Sequence, residues 1–312
     1  MRIAIAGAGG FAQILAQNIS QQTAHALLIL SQRPHPELEE YCPECQVAVV
    51  EYNEIENLRY ALQGVDLVIS TISGNEQLNL IDAARRARVR VFVPSEFEGD
   101  LNHRPANDPL DRGSHSALEL LEGWSNSRSQ SIRYTVFSCG IFMERFGPGG
   151  LQTYGIGSGS GIQGPDDYLV NIQEARSEIV ALGPNGRAAK LSMTSVYDVA
   201  HFITAAIEMG LENWPKEFRM RGDSMTVQEI VEICSNTLGI PFSLVSRHYR
   251  EVEAQAAACQ QRGDWSQWLY FQRLLQTANG RYHVRQANLN DATEVQPMDF
   301  RGWLGSVWAT GV

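Results

Sequence analysis

The chain has 312 residues, 44% of them hydrophobic, and its 25 Lys and Arg against 35 Asp and Glu leave a formal net charge of −10. Such a length is typical of about two domains, and this apolar content fills a real core, which excludes a disordered chain. The acidic balance excludes the basic face that nucleic-acid binding needs. Apolar runs such as Ala26–Leu30 are far shorter than the roughly 18 residues that span a bilayer, so we expect a cytoplasmic protein without a membrane anchor.

The five cysteines are too few and too scattered for a disulfide framework, so free thiols are expected. Cys42 and Cys45 have the spacing of a redox or zinc pair. Because a second such pair is missing, the sequence favours a surface loop with reduced thiols and predicts no metal site.

Short β-branched runs alternate with amphipathic segments through the first half of the chain. The predicted strands are Arg2–Ala6, Ala26–Leu30, Gln46–Val50, Val65–Thr71, Val89–Val93 and Tyr134–Phe137. Apolar residues at helical spacing fall between them, for example Leu80, Ile81 and Ala84. This alternation predicts an α/β fold with an open, mostly parallel, doubly wound sheet of the Rossmann type.

The second half of the chain begins with a change of composition. The run from Gly147 to Pro165 carries eight glycines and two prolines, which predicts a loop. We therefore expect a Rossmann domain over residues 1–155, with returning elements near 190–235, and a smaller mixed substrate-binding lobe over residues 156–312.

Two helices of the second half have N-terminal capping signals. Ser195 with Asp198, and Thr226 with Glu229, have the spacing of N-cap and N3 residues. The last aromatic segment, from Trp265 to Tyr282, is interpreted as an irregular pocket wall.

The glycine cluster Gly7–Ala12 follows the first buried strand and opens a helix. A pyrophosphate needs the close backbone approach that glycine allows, and a helix N-terminus supplies unpaired N–H groups and a positive dipole end. The alternative is a glycine turn that only closes the strand–helix connection. The position in a βαβ chain favours a dinucleotide site.

The end of the second strand bears on the choice of cofactor. An NAD site uses an acid there for the ribose hydroxyls, whereas a 2′-phosphate pairs with arginine. Here the strand runs into Ser31-Gln32-Arg33, with no acid before Glu37. The sequence therefore predicts NADP(H) with Arg33 at the 2′-phosphate, the alternative being that Arg33 is an ordinary solvated loop residue.

Four segments together resemble one family. Gly7–Ala12, Gly64–Gly74, Phe92–Asp100 with its Pro-Ser-Glu-Phe stretch, and Tyr134–Phe137 are similar to the NmrA-like and isoflavone-reductase-like atypical short-chain dehydrogenases. The likeness covers most of residues 1–235. It implies that the first glycine loop holds the pyrophosphate, that the turn after the fourth strand lies along the cofactor, and that the Pro94–Phe97 loop borders the nicotinamide.

Carried over to this chain, and with Arg33 added, the resemblance implies a set of cofactor-binding residues. They are Gly7, Gly9, Gly10, Phe11, Ala12, Arg33, Thr71, Ile72, Ser73 and Ser95.

Two departures from the family pattern bear on function. The third loop glycine of the family falls at Gln13, which is expected to crowd the helix–strand contact. The catalytic lysine of the family's reductases falls at Ser114, and the chain has lysine only at Lys190 and Lys216. The usual Tyr/Lys proton-donor pair is therefore expected to be absent.

A polar set remains near the expected nicotinamide edge. It consists of Ser95, Glu96, Glu98, Asp100, His103, Arg104, Ser114 and His115. A histidine with carboxylates can exchange protons near neutral pH, so Glu96, Ser114 and His115 are the candidate catalytic residues. Each one taken singly also fits a structural role, such as a helix cap.

Aromatic and sulfur side chains of the second half fit the lining of a pocket for a planar substrate. Phe142, Met143, Trp265 and Trp268 are the candidates, although each could equally be core. The partner predicted for this pocket is an aromatic small molecule, and the protein is expected to be a monomer or a homodimer.

Three functions are compatible with these residues. The favoured one is an NADP(H)-binding tailoring enzyme of secondary metabolism that performs an acid/base cyclisation or rearrangement on an alkaloid- or polyketide-like molecule. The alternative is an NADPH-dependent reductase of a C=N or C=C bond. A further alternative is a redox sensor of the NmrA type without catalysis.

Overall fold

The structure is a computed structural model that describes residues 1–36, 38, 42–157 and 168–308. Glu37 and the later part of the predicted glycine-rich loop, residues 158–167, lie outside the described residues.

The described chain folds into helices and strands that alternate in the first half and mix in the second. The strands are β1 Arg2–Ala6, β2 Ala26–Ser31, β3 Gln46–Val49, β4 Leu67–Ser70, β5 Val91–Val93, β6 Arg133–Tyr134, β7 Val136–Ser138, β8 Ile141–Phe142, β9 Val170–Asn171, β10 Arg176–Ile179, β11 Lys190–Thr194, β12 Glu217–Arg219, β13 Asp223–Thr226 and β14 Ser243–Ser246. The α-helices are α1 Gly10–Gln22, α2 Ile55–Ala61, α3 Asn75–Arg86, α4 Ser114–Ser125, α5 Val196–Glu208, α6 Val227–Leu238, α7 Tyr249–Arg262, α8 Trp265–Ala278, α9 Asn288–Ala292 and α10 Phe300–Trp308.

The first six strands form one parallel sheet in the order β3-β2-β1-β4-β5-β6. The central strands β1 and β4 are almost wholly buried because helices cover both faces of such a sheet, which explains their continuous apolar runs. The strand order changes direction at β1, so the carboxyl ends of β1 and β4 lie at the switch point of the fold. The predicted doubly wound sheet is confirmed.

Smaller sheets involve the later strands. One has the order β14-β10-β9, another β13-β11-β8, and β12 pairs with β7. The predicted strand Tyr134–Phe137 is split, since β6 ends the parallel sheet at Tyr134 while β7 begins at Val136 and pairs elsewhere.

The chain separates into two compact units. The sheet unit comprises residues 1–97, 111–137 and 200–218, and the second unit comprises residues 98–110, 138–199 and 219–312. The sheet unit has a core in which β-strand residues such as Val68 pack against Leu80 and Leu121 from the helices. The core of the second unit is built around Leu191, Ile230 and Phe300.

The capping signal at Thr226 is confirmed. Thr226 Oγ1 accepts from Glu229 N at 3.1 Å and Glu229 Oε2 accepts from Thr226 N at 2.7 Å, which is a complete capping box at the start of α6. In the other predicted box, Ser195 Oγ donates to Glu144 Oε1 at 2.7 Å, and Asp198 accepts from Met298 N at 3.0 Å.

Two expectations from the sequence are wrong. The segment after Asp264 is not irregular: Trp265–Ala278 forms the regular helix α8, which the Asp264 side chain caps by accepting from Gln267 N at 3.2 Å. Nor are all the thiols free, because the structure pairs Cys42 with Cys45 in a disulfide, with their Cα atoms 5.3 Å apart. The spacing of two intervening residues brings these two sulfur atoms together, whereas the buried Cys139, Cys234 and Cys259 take part in no disulfide.

Candidate cofactor-binding site

The turn after β1 packs tightly against Thr71, which directly follows β4. Gly7 has φ +105°, and a Cβ added there would overlap Thr71 Oγ1. Thr71 Oγ1 in turn donates to Ala6 O at 2.8 Å. Because L-side chains rarely adopt this φ and no space exists for a Cβ, only glycine fits at position 7 without strain.

The N-terminus of α1 follows this turn and carries no side-chain cap. Gly9 is the N-cap residue, and no acidic residue lies in the first turn. The first N–H groups of a helix have no partner within it and lie at the positive end of the dipole, so this terminus is built to receive an anion. Gln13, expected to crowd the helix–strand contact, donates its amide to Ala8 O at 3.0 Å and so braces the loop.

The glycine turn is supported by a buried tyrosine that the sequence did not indicate. Tyr52 Oη accepts from Gly7 N at 3.0 Å and donates to Leu30 O at 2.9 Å. Burial raises the pKa of Tyr52 above its usual range, so the hydroxyl stays protonated and donates. No motif connects Tyr52 with Gly7 in the sequence, because the contact joins residues 45 positions apart.

The loop after β5 is held by a buried glutamine. Gln77 on α3 is fully buried, and its Oε1 accepts from Ser95 N at 2.7 Å. Phe97, at the end of the same loop, packs edge to face on Phe11 with the ring centroids 4.8 Å apart. The loops after β1 and β5 are therefore fixed relative to each other. Gln77 precedes Leu80 by three residues on the apolar face of α3, and that spacing is the signal that could have found it.

The three candidate catalytic residues differ in environment. Glu96 is buried, with 2% of its surface exposed. Ser114 is half-buried and begins α4, whose N-terminus lies close to that of α3: a Cβ at Gly113 would lie 3.0 Å from Gly74 Cα. His115 is exposed.

The first turn of α4 is capped by an acid. Asp111 Oδ1 accepts from His115 N at 3.1 Å and Oδ2 accepts from Gly113 N at 3.1 Å. This carboxylate orients the turn that carries Ser114 and His115, and it also satisfies part of the positive end of the helix.

The end of β2 presents Arg33 to solvent. Its backbone N–H donates to Ser31 Oγ at 3.3 Å, and its side chain is exposed. An exposed guanidinium at the carboxyl end of β2 remains compatible with the predicted 2′-phosphate contact.

Several members of the predicted polar set are used inside the second unit instead. Arg281 Nη2 lies 2.8 Å from Glu98 Oε2 and its Nη1 lies 3.1 Å from Asp108 Oδ2. Arg104 Nε lies 3.7 Å from the same Asp108 oxygen, and Gln276 Nε2 donates to Asp108 Oδ1 at 2.6 Å. Burial opposes the charge on Arg281, but the carboxylates, Glu98 foremost, outweigh it and raise its pKa. These charges form an ionic network in which the side chains of Arg281 and Asp108 are almost fully buried.

The remaining two members of the polar set belong to a short helical turn. Asp100 Oδ1 accepts from Asn102 N at 2.9 Å, and His103 Nδ1 lies 3.5 Å from Asp100 Oδ2. Asp100 thus acts as the cap of this turn.

The candidate pocket residues lie in the second unit. Met143 is fully buried in its core and Phe142 is half-buried. Trp265 is 56% exposed at the start of α8, and Trp268, half-buried one turn later, meets it edge to face with centroids 5.7 Å apart. Their role in a pocket stays a prediction.

Lys216 does not replace the catalytic lysine that the family's reductases carry at the position of Ser114. Lys216 Nζ lies 2.7 Å and 2.8 Å from the two oxygens of Glu122, and Tyr134 Oη donates to the same carboxylate at 2.6 Å. Glu122 lies in the last turn of α4, whereas Ser114 lies in the first, so the whole helix separates this trio from Ser114.

The family of this chain follows from its similarity to known proteins. The family model of the NmrA-like family matches residues 2–257. The chain belongs to the NmrA-like family. Among the described residues of this NmrA-like protein, no helix has the length and apolar character that crossing a bilayer requires. Nor does the described part contain three or more His, Cys, Asp or Glu side chains grouped as metal ligands.

Relatives of this chain include fungal oxidoreductases and a plant isoflavone reductase homolog. The oxidoreductase swnN of Metarhizium robertsii is 23% identical over 269 residues, which cover 78% of this chain and 75% of that protein. The oxidoreductase aprR of Aspergillus flavus is 34% identical over 96 residues, and the isoflavone reductase homolog A622 of Nicotiana glauca is 35% identical over 97 residues. These two matches span only about a third of each relative, 32% and 30% respectively.

Solved structures share the fold across nearly the whole chain. Leucoanthocyanidin reductase of Vitis vinifera superposes with a TM-score of 0.70 at 16% identity, covering 98% of this chain and 99% of that one. The quinone oxidoreductase QOR2 of Escherichia coli, crystallised with NADPH, superposes with the same TM-score of 0.70 at 16% identity and the same coverage of 98% and 99%. The Rossmann-type architecture of this chain is therefore that of known reductases.

Proposed function

We propose that the protein is an NADP(H)-dependent oxidoreductase that acts on a small organic molecule. The observation that carries this proposal is the uncapped N-terminus of α1 behind the strained Gly7 turn, at the switch point of the sheet. The oxidoreductase and reductase names of the relatives support it, as do the NADPH complexes of proteins that share the fold.

The residues present fit a dinucleotide. The backbone at Gly9 and Gly10 would hold the pyrophosphate, because the helix end there has neither a side-chain cap nor an acid to compete with a phosphate. Arg33 would hold the 2′-phosphate. The Ser95–Phe97 loop, fixed by Gln77 and Phe11, would border the nicotinamide.

When bound, NADP(H) supplies or takes up a hydride. The chain itself has to hold the substrate and move a proton, and Glu96, Ser114 and His115 are the candidates for that work. Glu96 is buried whereas His115 is exposed, so the two candidates differ in their access to water. Ser114, at a helix N-terminus, is suited to orient a substrate oxygen.

A second candidate is an acid/base cyclisation or rearrangement of an aromatic secondary metabolite, without net redox change. The observation that favours it is that Ser114 stands where the family's reductases have their catalytic lysine. Lys216 does not take over that role, because its ammonium group is paired with Glu122. A reduction needs a proton donor in that place, whereas a cyclisation needs one acid and one base, which Glu96 and His115 could supply.

One experiment separates the two candidates. Aromatic alkaloid and polyketide intermediates are incubated with the protein and NADPH, with NADP⁺, or with neither, while product mass and nicotinamide absorbance are followed. Stoichiometric NADPH consumption with a product two mass units heavier supports the reductase. An isomeric product without nucleotide consumption supports the cyclisation, and nucleotide binding without any turnover supports a redox sensor.

Variants then test the residues. Glu96→Gln and His115→Ala are expected to lower turnover at least about tenfold if these groups move the proton, with melting temperatures unchanged. Ser116→Ala, the exposed neighbour of His115, is the matched control. Turnover in both variants equal to the control would remove these two residues from the mechanism.

The choice of nucleotide is tested at Arg33. Arg33→Ala should weaken NADPH binding about tenfold and leave NADH binding nearly unchanged, because it removes one charge-assisted contact to the 2′-phosphate. Arg59→Ala, an exposed arginine on α2, is the control. An equal change in NADPH and NADH affinity in Arg33→Ala, or no change in either, would contradict the assignment of Arg33.

A further inference from the structure

A carboxylate lies beside the residue that precedes Arg33. Glu76, in the first turn of α3, accepts a hydrogen bond on Oε1 from Gln32 Nε2 at 3.2 Å. Gln32 directly follows β2, so this contact connects the start of α3 with the end of the second strand. The contact joins residues 44 positions apart, and no motif in the sequence indicates it.

The helix that carries this carboxylate also contacts the residue that supports the glycine turn, because Asn79 Nδ2 on α3 donates to Tyr52 O at 3.0 Å. Burial foremost, and with it the charge of Glu76, raises the pKa of Tyr52, whose hydroxyl contacts Gly7 N and Leu30 O. Glu76 is thus placed at the carboxyl ends of β1 and β2. In a doubly wound sheet, that edge receives the adenosine half of a dinucleotide.

A carboxylate at this edge discriminates between the two nucleotides. It accepts hydrogen bonds from ribose hydroxyls and repels a phosphate on the 2′ position. In the usual NAD site the acid comes from the end of the second strand. Here the end of β2 reads Ser31-Gln32-Arg33, and the acid arrives instead from α3.

We propose that Glu76 is a specificity-determining residue of the dinucleotide site, which opposes Arg33 and narrows the preference of the protein for NADP(H) over NAD(H). Gln32 is its positioning residue, because its amide holds the carboxylate at the end of β2. This inference rests on the proposed function, since it assumes that the site takes a dinucleotide.

The test uses two fragments that isolate the adenosine end. Adenosine 2′,5′-bisphosphate and 5′-AMP are titrated by calorimetry into the unmodified protein, Glu76→Gln and Glu208→Gln, and NADPH and NADH are titrated by fluorescence. Glu208→Gln is the matched control: it removes one negative charge from the sheet unit, but Glu208 pairs with His25, just before β2, at the opposite end of the strands.

Glu76→Gln is expected to raise the ratio of bisphosphate to 5′-AMP affinity about fivefold, as one partly solvated charge at short range would, and to raise the NADPH to NADH ratio in the same sense. The gain should shrink as salt is added, because salt screens exposed charges. The glutamine keeps the shape of the side chain, and thermal melting checks that folding is intact.

Two outcomes overturn the inference, and they are distinguishable. If the unmodified protein binds NADPH but Glu76→Gln changes the ratio no more than Glu208→Gln, Glu76 has no role in specificity while the proposed function stands. If the unmodified protein binds neither nucleotide, the proposed function fails and this inference fails with it.

Discussion

The glycine turn of the sheet unit and the ionic network of the second unit differ in how their polar groups are paired by side chains. At the start of α1, backbone donors are presented at a helix end that no side chain caps. In the second unit Arg281, with 3% of its side chain exposed, is paired with both Glu98 and Asp108. Groups paired internally hold a fold together, whereas donors at a helix end without a side-chain cap are suited to receive a ligand.

The largest effect on stability is expected at the ionic network. Arg281→Ala should lower the free energy of unfolding by about 3–5 kcal/mol, because Asp108 and Glu98 lose their nearest positive charge while Asp108 stays buried. Urea denaturation measures it. The control is Arg176→Ala, whose surface pair with Glu174 should be worth at most about 1 kcal/mol. Equal losses in the two variants would mean that the network does not stabilise the second unit.

The next largest effect is expected at the glycine turn. Gly7→Ala should cost about 2–4 kcal/mol, because it forces a Cβ onto Thr71 at φ +105°, and it should abolish NADPH binding. In Gly64→Ala, with φ +72° and nothing within 4 Å, only the backbone strain of about 1–2 kcal/mol is expected, with binding retained. Melting and nucleotide titration compare the two. Binding retained in Gly7→Ala would show that the turn does not form the site.

A smaller effect is expected at Tyr52. Tyr52→Phe removes the hydroxyl that contacts Gly7 N and Leu30 O, which should cost about 1–2 kcal/mol and weaken nucleotide binding by loosening the turn. Tyr60→Phe, at a tyrosine that is 75% exposed, should change neither quantity. If Tyr52→Phe lowers stability while the nucleotide affinity stays the same, Tyr52 supports the fold but not the site.

The smallest expected effect is a dependence of the free energy of unfolding on pH, caused by Glu144 in the second unit. Burial raises the pKa of Glu144 above its ordinary value of 4.5, although Ser195 Oγ and Val196 N donate to it. The folded protein therefore holds a proton that the unfolded chain releases, so this group makes stability fall as pH rises from its unfolded pKa toward the raised folded one. Glu144→Gln should remove that fall, as seen by urea unfolding at several pH values.

Glu229, in the same unit, makes stability depend on pH in the opposite direction. Hydrogen bonds from Thr226 lower its pKa, so its contribution is present above the unfolded pKa and is lost as pH falls. Glu229→Gln should therefore weaken the loss of unfolding free energy as pH falls into the acid range. Glu144→Gln should have the opposite effect, because it removes a contribution that makes stability fall as pH rises. The same slope in both variants would contradict the assignment of these two carboxyl groups.

Local patterns were enough to predict most elements of the sheet unit and one helix start in the second unit. The strand positions, the helix that begins at the glycine cluster and the capping box at Thr226 all depend on residues within a few positions of each other. The prediction failed for α8, because aromatic residues at helical spacing were interpreted as an irregular wall. It failed again at Cys42 and Cys45, whose redox spacing was outweighed by the lack of a second such pair, so that reduced thiols were predicted.

By itself, the sequence determined the alternation of strands and helices, the glycine turn with its uncapped helix and the membership of the NmrA-like family. Only the tertiary structure decided which side chains support that turn and the neighbouring loops. Tyr52 reaches Gly7, Gln77 reaches Ser95 and Glu76 reaches Gln32 because the strand order places distant segments side by side. Periodicity reports which face of an element is buried, but the partner across that face depends on how the strands are ordered in the sheet.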